Sequence, residues 1–158
     1  MQNTLDIATR LKLLQHQVSK FITFYKQDVD FNKKVYPLWS AKDVLGHITF
    51  WHESFARNLL DLAEGRKPNP LKGKLSEVNN LSVSSTKASM IQELLDRLAT
   101  AQKVIDSHIL NDAILEIPYK KGSRNYTRLE HLEVVERHIS KHLKDFREMT
   151  KKPYNKVL

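Results

Sequence analysis

The sequence predicts an all-α fold, a bundle of four helices, and three observations carry that prediction. Four stretches repeat apolar residues at spacings of three and four, which places them on one face of a helix. Two of those stretches open with capping chemistry, Ser40 with Asp43 and Thr127 with Glu130. A long polar connection separates the second stretch from the third, and such a connection lets two consecutive helices of a bundle run parallel.

The first helix is expected over residues 3 to 28, where Leu11, Leu14, Val18, Phe21, Ile22 and Tyr25 keep helical spacing. The segment from Asp28 to Leu38 breaks the pattern, and Pro37 closes it. The second helix is expected from Ser40 to Glu64, with Val44, Leu45, Ile48, Trp51, Phe55, Leu59 and Leu62 on its apolar face. Gly65 is a natural C-terminal cap. Residues 66 to 85 read as the long connection, with Pro68, Pro70 and Gly73 at its start. A loop of that length crosses the fold or serves function. Ser85 or Thr86 is the expected cap of the third helix, whose buried face is Ile91, Leu94, Leu95, Leu98, Ala101 and Ile105. Then Ile114, Leu115 and Ile117 before Pro118 read as extended chain, and Lys121-Gly122-Ser123 could turn a short hairpin. The fourth helix runs to about Thr150 on Leu129, Leu132, Val135, Ile139, Leu143 and Phe146. Residues 1–150 are expected to form one domain and residues 151–158 a basic C-terminal tail.

Composition narrows the chemistry. The chain has 158 residues, enough to bury a core as one domain. It has no cysteine, which excludes a disulfide framework, a thiolate metal site and a cysteine nucleophile; any thiol chemistry must use a thiol from a small molecule. The N-terminus mixes charge into its apolar pattern and does not read as a signal peptide, and no run is long enough to span a membrane. A cytoplasmic protein is the expectation. Net charge is +8, from 26 Lys and Arg against 18 Asp and Glu, but the basic residues are spread through every segment. No helix-turn-helix pattern or aromatic-basic signature accompanies them, so no specific nucleic-acid partner is expected. The excess could instead attract an anionic small molecule.

The histidines carry the functional reading. His138 and His142 are four apart on a helix, a spacing that suits two ligands of one metal. His47 lies about 40° from Trp51 around the second helix, at the border of its apolar face. If those two borders abut, three neutral imidazoles converge and leave a coordination position open, the pattern of a reactive metal site. Zinc, nickel, iron or manganese would accept such ligands. His131, on the same face as His138, could stand behind the ligands, line the pocket or be a half-exposed surface residue. His52 sits about 140° from His47 and is not expected to share the metal. His16 and His108 have no visible partners and read as surface residues. Trp39 and Trp51 read as core aromatics, with Trp51 also a candidate wall of the pocket. Glu53, Glu130, Glu133 and Asp145 could orient ligands or move protons, and Arg124 and Tyr126 could contact an anionic substrate, although solvent exposure is the plainer reading of both.

At these residues the sequence resembles the DinB/YfiT-like superfamily of four-helix bundles. The features are W-S-x-K-D-V-L-x-H at Trp39 to His47, the long second connection, and H-x-x-x-H at His138 and His142. Trp39-Ser40 with Lys42-Asp43 also looks like the ClbS/DfsB branch. The resemblance implies an up-down-down-up bundle with a crossover between helices two and three, often a dimer, and a divalent metal held by His47, His138 and His142. It implies metal-dependent hydrolases or transferases that use low-molecular-weight thiols. The expected function is a metalloenzyme that activates water or a small thiol against a small electrophile, in a stress or detoxification role. The alternative is a metal-free binding or sequestering protein, or a ClbS-like hydrolase.

Overall fold

Four long helices form the bundle, α1 (Thr4–Tyr25), α2 (Ala41–Ala63), α4 (Ile91–His108) and α5 (Arg128–Lys151), with a short α3 (Leu75–Ser84) inside the second connection. Two small hairpins complete it: β1 (Lys34–Tyr36) with β2 (Trp39–Ser40), and β3 (Glu116–Ile117) with β4 (Tyr126–Thr127). The structure is a computed structural model and describes residues 4–27 and 29–151. The expected limits of the first helix at residues 3 and 28, and the expected tail beyond Lys151, lie outside the described residues.

Side-chain pairs fix the helix directions. Thr49 bonds the Leu94 carbonyl and Glu53 pairs with Arg97, so α2 and α4 advance together. Arg10 meets Glu133 and Phe24 meets Phe146, so α1 and α5 are parallel too. His47 meets His142 while Phe55 meets His131, so α2 and α5 are antiparallel. The result is the up-down-down-up order with a crossover between α2 and α4. Among the described residues, no helix is long and apolar enough to cross a membrane.

The ends of α2 follow from local chemistry. The Asp43 N–H donates to Ser40 Oγ at 3.2 Å and the Ser40 N–H donates to Asp43 Oδ2 at 3.0 Å, a closed capping box. At the other end Gly65, at φ 74°, sends its N–H to Leu62, and Arg66 sends its own to Asp61, a Schellman stop. Helix α5 starts on the same logic, with Thr127 and Glu130 exchanging bonds of 2.9 and 3.1 Å.

Two expectations need correction. The connection from 66 to 85 is not all loop, because α3 occupies its second half. That helix buries only Val78 and Ser82, one turn apart, and its Asn and Ser residues have low helix propensity, so it left little periodic signal. Nor do Ser85 or Thr86 cap the next helix. Helix α4 starts at Ile91, where Glu93 accepts from the Met90 N–H. Thr86 is buried and donates to the Ser82 carbonyl at 2.7 Å.

Thr86 also packs on Gly46 of α2. A Cβ built on Gly46 would lie 2.0 Å from Thr86 Oγ1, so no larger residue fits without moving the crossover. Gly46→Ala is expected to destabilise the fold by about 1–3 kcal/mol through overpacking. Adding Thr86→Ala removes the 2.0 Å contact but keeps the Cβ at 2.9 Å, so it should return part of the loss. Chemical denaturation of the single and double variants checks this, and equal stability of Gly46→Ala and the wild type would contradict it.

Candidate metal centre

Helix α2 is buried on several sides, yet it carries His47, Thr49, His52, Ser54 and Asn58 inward. Buried polar groups need partners. Thr49 and Asn58 find the carbonyls of Leu94 and Pro118, and His52 Nε2 meets Gln102 Oε1 at 2.8 Å. His47 instead meets two histidines from α5. One nitrogen from each of His47, His138 and His142 lies within 4.8 Å of the others. His47 Nε2 and His138 Nε2 are 2.9 Å apart.

The proton positions follow from the surrounding hydroxyls. Ser82 of α3 donates to the Asn79 carbonyl at 2.6 Å, which spends its only proton. Its oxygen, 2.9 Å from His47 Nδ1, therefore accepts the Nδ1–H, and His47 Nε2 is left as a bare lone pair. The same argument holds for His142. Tyr36 of β1 donates to Asp145 Oδ2 at 2.5 Å, and its oxygen sits 2.8 Å from His142 Nδ1. Burial and the bond to Asp145 push the Tyr36 hydroxyl well above its ordinary pKa, so it keeps its proton. Tyr36 thus accepts from His142 Nδ1–H, and His142 also presents Nε2. A histidine ligand whose second nitrogen donates to a fixed acceptor is held in one tautomer and one orientation.

Burial keeps all three rings neutral. It pushes His47 down to about 2, helped by the neighbouring His138 and His142. Burial and then His142 bring His138 to about 3; burial and then Lys141 bring His142 to about 4. Neutral imidazole is the ligand form. The 2.9 Å approach of two Nε2 atoms, one of them bare, needs either a proton on His138 or a cation facing both. The donor set fits a divalent metal on these observations.

The three rings form one end of a cavity of about 420 Å³ between α2 and α5. Trp39 leans on His47 with ring centres 4.6 Å apart. Trp51 is buried and lines the cavity, and its Nε1–H donates to Asn79 Oδ1 at 2.9 Å. Tyr119 stacks on Trp51 at 5.2 Å and 13°.

His131 lines the same cavity and is buried, not half exposed. Its ring lies flat on Phe55, 4.2 Å away and 6° from parallel, and neither ring nitrogen makes a well-formed hydrogen bond. His16 is exposed and His108 half-buried. Of the four acids, Asp145 alone reaches the histidines, through Tyr36. Glu53 is held by Arg97, Glu130 caps α5 and binds Arg124, and Glu133 pairs with Arg10 and Arg137. Arg124 is exposed and folds over Tyr126, away from the cavity lining. Tyr126 packs against Tyr119 and His131. Sequence reasoning missed Tyr36, Ser82 and Asn79, which lie outside the long periodic helices.

His52 and His131 add a pH dependence. Burial lowers each to about 4. An unfolded histidine titrates near 6.5, so between those values the unfolded chain binds more protons. Stability is then complete above about pH 6.5 and falls as pH drops toward 4. Each ring is expected to remove about 2–3 kcal/mol by pH 4.5. Urea unfolding of the wild type and His131→Phe checks this. The variant should lose less stability than the wild type between pH 7 and 4.5, and identical slopes would contradict the assignment.

An all-helical bundle with a histidine cluster between its second and last helices is thus the class that fold and site define. Searched against known proteins, the chain matches no family model and no curated sequence. Among solved structures it is similar to the mycothiol-dependent maleylpyruvate isomerase, with a TM-score of 0.70 and 16% sequence identity. The alignment covers 92% of this chain and 63% of that one. At that identity the likeness shows the fold, the all-helical type to which the DinB-like resemblance pointed.

Proposed function

We propose that His47, His138 and His142 hold one divalent metal ion and that the protein is a metal-dependent enzyme acting on a small electrophile. The observation that carries this is the pair of hydroxyl acceptors. Ser82 and Tyr36 lock His47 and His142 in the tautomer that leaves Nε2 bare on each, and His47 Nε2 faces His138 Nε2 at 2.9 Å. Zinc or nickel suits three imidazoles best, and iron or manganese would also be accepted. A divalent ion at a three-ligand centre supplies a nucleophile at neutral pH from water or a thiol.

The chain's own residues do the rest. Trp39, Ile48 and Ile139 line the cavity beside the histidines, and Asp145 with Tyr36 would make His142 a stronger donor. The neighbour's name includes a low-molecular-weight thiol, and this chain has no cysteine of its own, which together support a small thiol as the second substrate. Hydrolysis remains the companion reaction of the same centre, and either reaction is compatible with a stress or detoxification role. The W-S-x-K-D motif that resembles the ClbS/DfsB branch has a local job here. Ser40 and Asp43 cap α2, and Lys42 donates to the Lys87 carbonyl. The reading therefore rests on the histidines and not on the branch.

Elemental analysis of untagged protein tests it. About one equivalent of a divalent transition metal per chain is expected after metal supplementation. Its persistent absence would replace this reading with a metal-free binding protein.

A further inference from the structure

We infer that the cavity takes a small planar molecule bearing an anionic group, with the anion at the Arg137–Lys141 rim and the planar body against Trp51. This deepens the proposed function by naming its substrate class, and its electrostatic part stands without the metal.

The charges at the cavity have one sign. Arg137 and Lys141 line it, each one residue from a histidine of the cluster, and no carboxylate is among the lining residues. Both cations touch carboxylates nearby, Arg137 with Glu133 at 3.5 Å and Lys141 with Asp145 at 3.3 Å. Each of those carboxylates already has another partner. Glu133 pairs with Arg10 at 3.4 Å, and Asp145 accepts from Tyr36 at 2.5 Å. The Arg137 and Lys141 side chains are 72% and 65% exposed, so solvent screens both i,i+4 pairs and holds them weakly. Either cation can turn to a ligand without leaving an acid unpaired. The Lys141 charge is also felt by all three clustered rings.

Away from the two cations, flat aromatic rings line the cavity. Tyr119 on one side and the bond to Asn79 on the other hold the Trp51 ring in one plane. Phe55 and His131 add a second stacked pair. His131 lies seven residues before His138, about 10 Å along the helix. A molecule spanning rim and aromatic end is therefore short, flat at one end and charged at the other. An oppositely charged rim around a low-dielectric cleft raises the local concentration of such an anion.

The test uses 4-nitrobenzoate and the uncharged 4-nitrobenzamide, which share one planar body. Nitroaromatics quench tryptophan on contact, and the only two tryptophans of the chain, Trp39 and Trp51, both line this cavity. Untagged protein is titrated as purified and after chelator treatment. In both forms nitrobenzoate is expected to bind at least tenfold more tightly than the amide. Arg137→Gln with Lys141→Gln should bring the acid to the level of the amide and leave the amide unchanged. Arg137→Lys with Lys141→Arg should keep the preference.

Equal affinities, no saturable quenching by the acid, or a preference that survives the double glutamine variant would overturn the inference. Failure of the metal reading looks different, because the preference would persist in a protein that takes up no metal.

Discussion

Replacing His138 and His142 together by alanine is expected to abolish metal binding at the proposed centre while leaving the bundle folded. The two residues supply two of the three imidazoles, and a single remaining histidine does not hold a divalent ion against water and buffer. Metal content should fall from about one equivalent to less than about a tenth. The fold should survive because the apolar stripe of α5 is carried by other residues, with Leu132, Ile139, Leu143 and Phe146 buried in the core. Removing the α5 rings also relieves the crowding around the bare His47 Nε2.

A ligand that binds only the native state stabilises it, by about 4 kcal/mol at a thousandfold excess over Kd. Zinc should therefore raise the melting temperature of the wild type and leave that of the double variant unmoved. Elemental analysis and thermal melts with and without zinc read both effects. A double variant that retains a full equivalent of metal would refute the site.

What the sequence made legible follows the range over which each feature is encoded. Long helices announce themselves by period, so α2 and α5 and the borders that hold His47, His138 and His142 could be placed. Capping boxes are local, so the starts of both helices could be placed as well. Helix α3 buries two residues and is otherwise mostly Asn, Ser and exposed Leu, so nothing periodic marked it. That helix carries Ser82, which fixes His47. Tyr36 is harder still. It sits on a three-residue strand, and its partner Asp145 is 109 positions away in the chain, a contact no local pattern encodes. The same limit explains His131. Its place on the apolar border was visible, but its burial depends on Phe55 and Tyr119 arriving from two other segments. The clustered histidines lay on strong helices, and the groups that orient them lay on weak connecting pieces.

Tyr36→Phe tests those connecting pieces and is expected to lower metal affinity by about 10–100-fold, the usual effect of removing a group that orients a histidine ligand. The phenyl ring keeps the edge contacts with Trp39 and His142, whose ring centres lie 6.3 and 5.6 Å away, so packing changes little. Only the hydroxyl is lost. Without it, His142 Nδ1–H has no acceptor, the other tautomer becomes available, and Nε2 is no longer held as the donor. Asp145 keeps Lys141 as a partner, so the carboxylate is not stranded.

Chelator competition measures the affinity, and the visible spectrum of the cobalt-loaded protein reports the donor itself. A shifted cobalt band with unchanged far-UV circular dichroism is the expected signature of a positioning residue. Ser82→Ala should act in the same direction through His47. If Tyr36→Phe binds metal as tightly as the wild type and with the same spectrum, the hydroxyl does not orient His142, and the matched tautomers that support the metal reading lose their meaning.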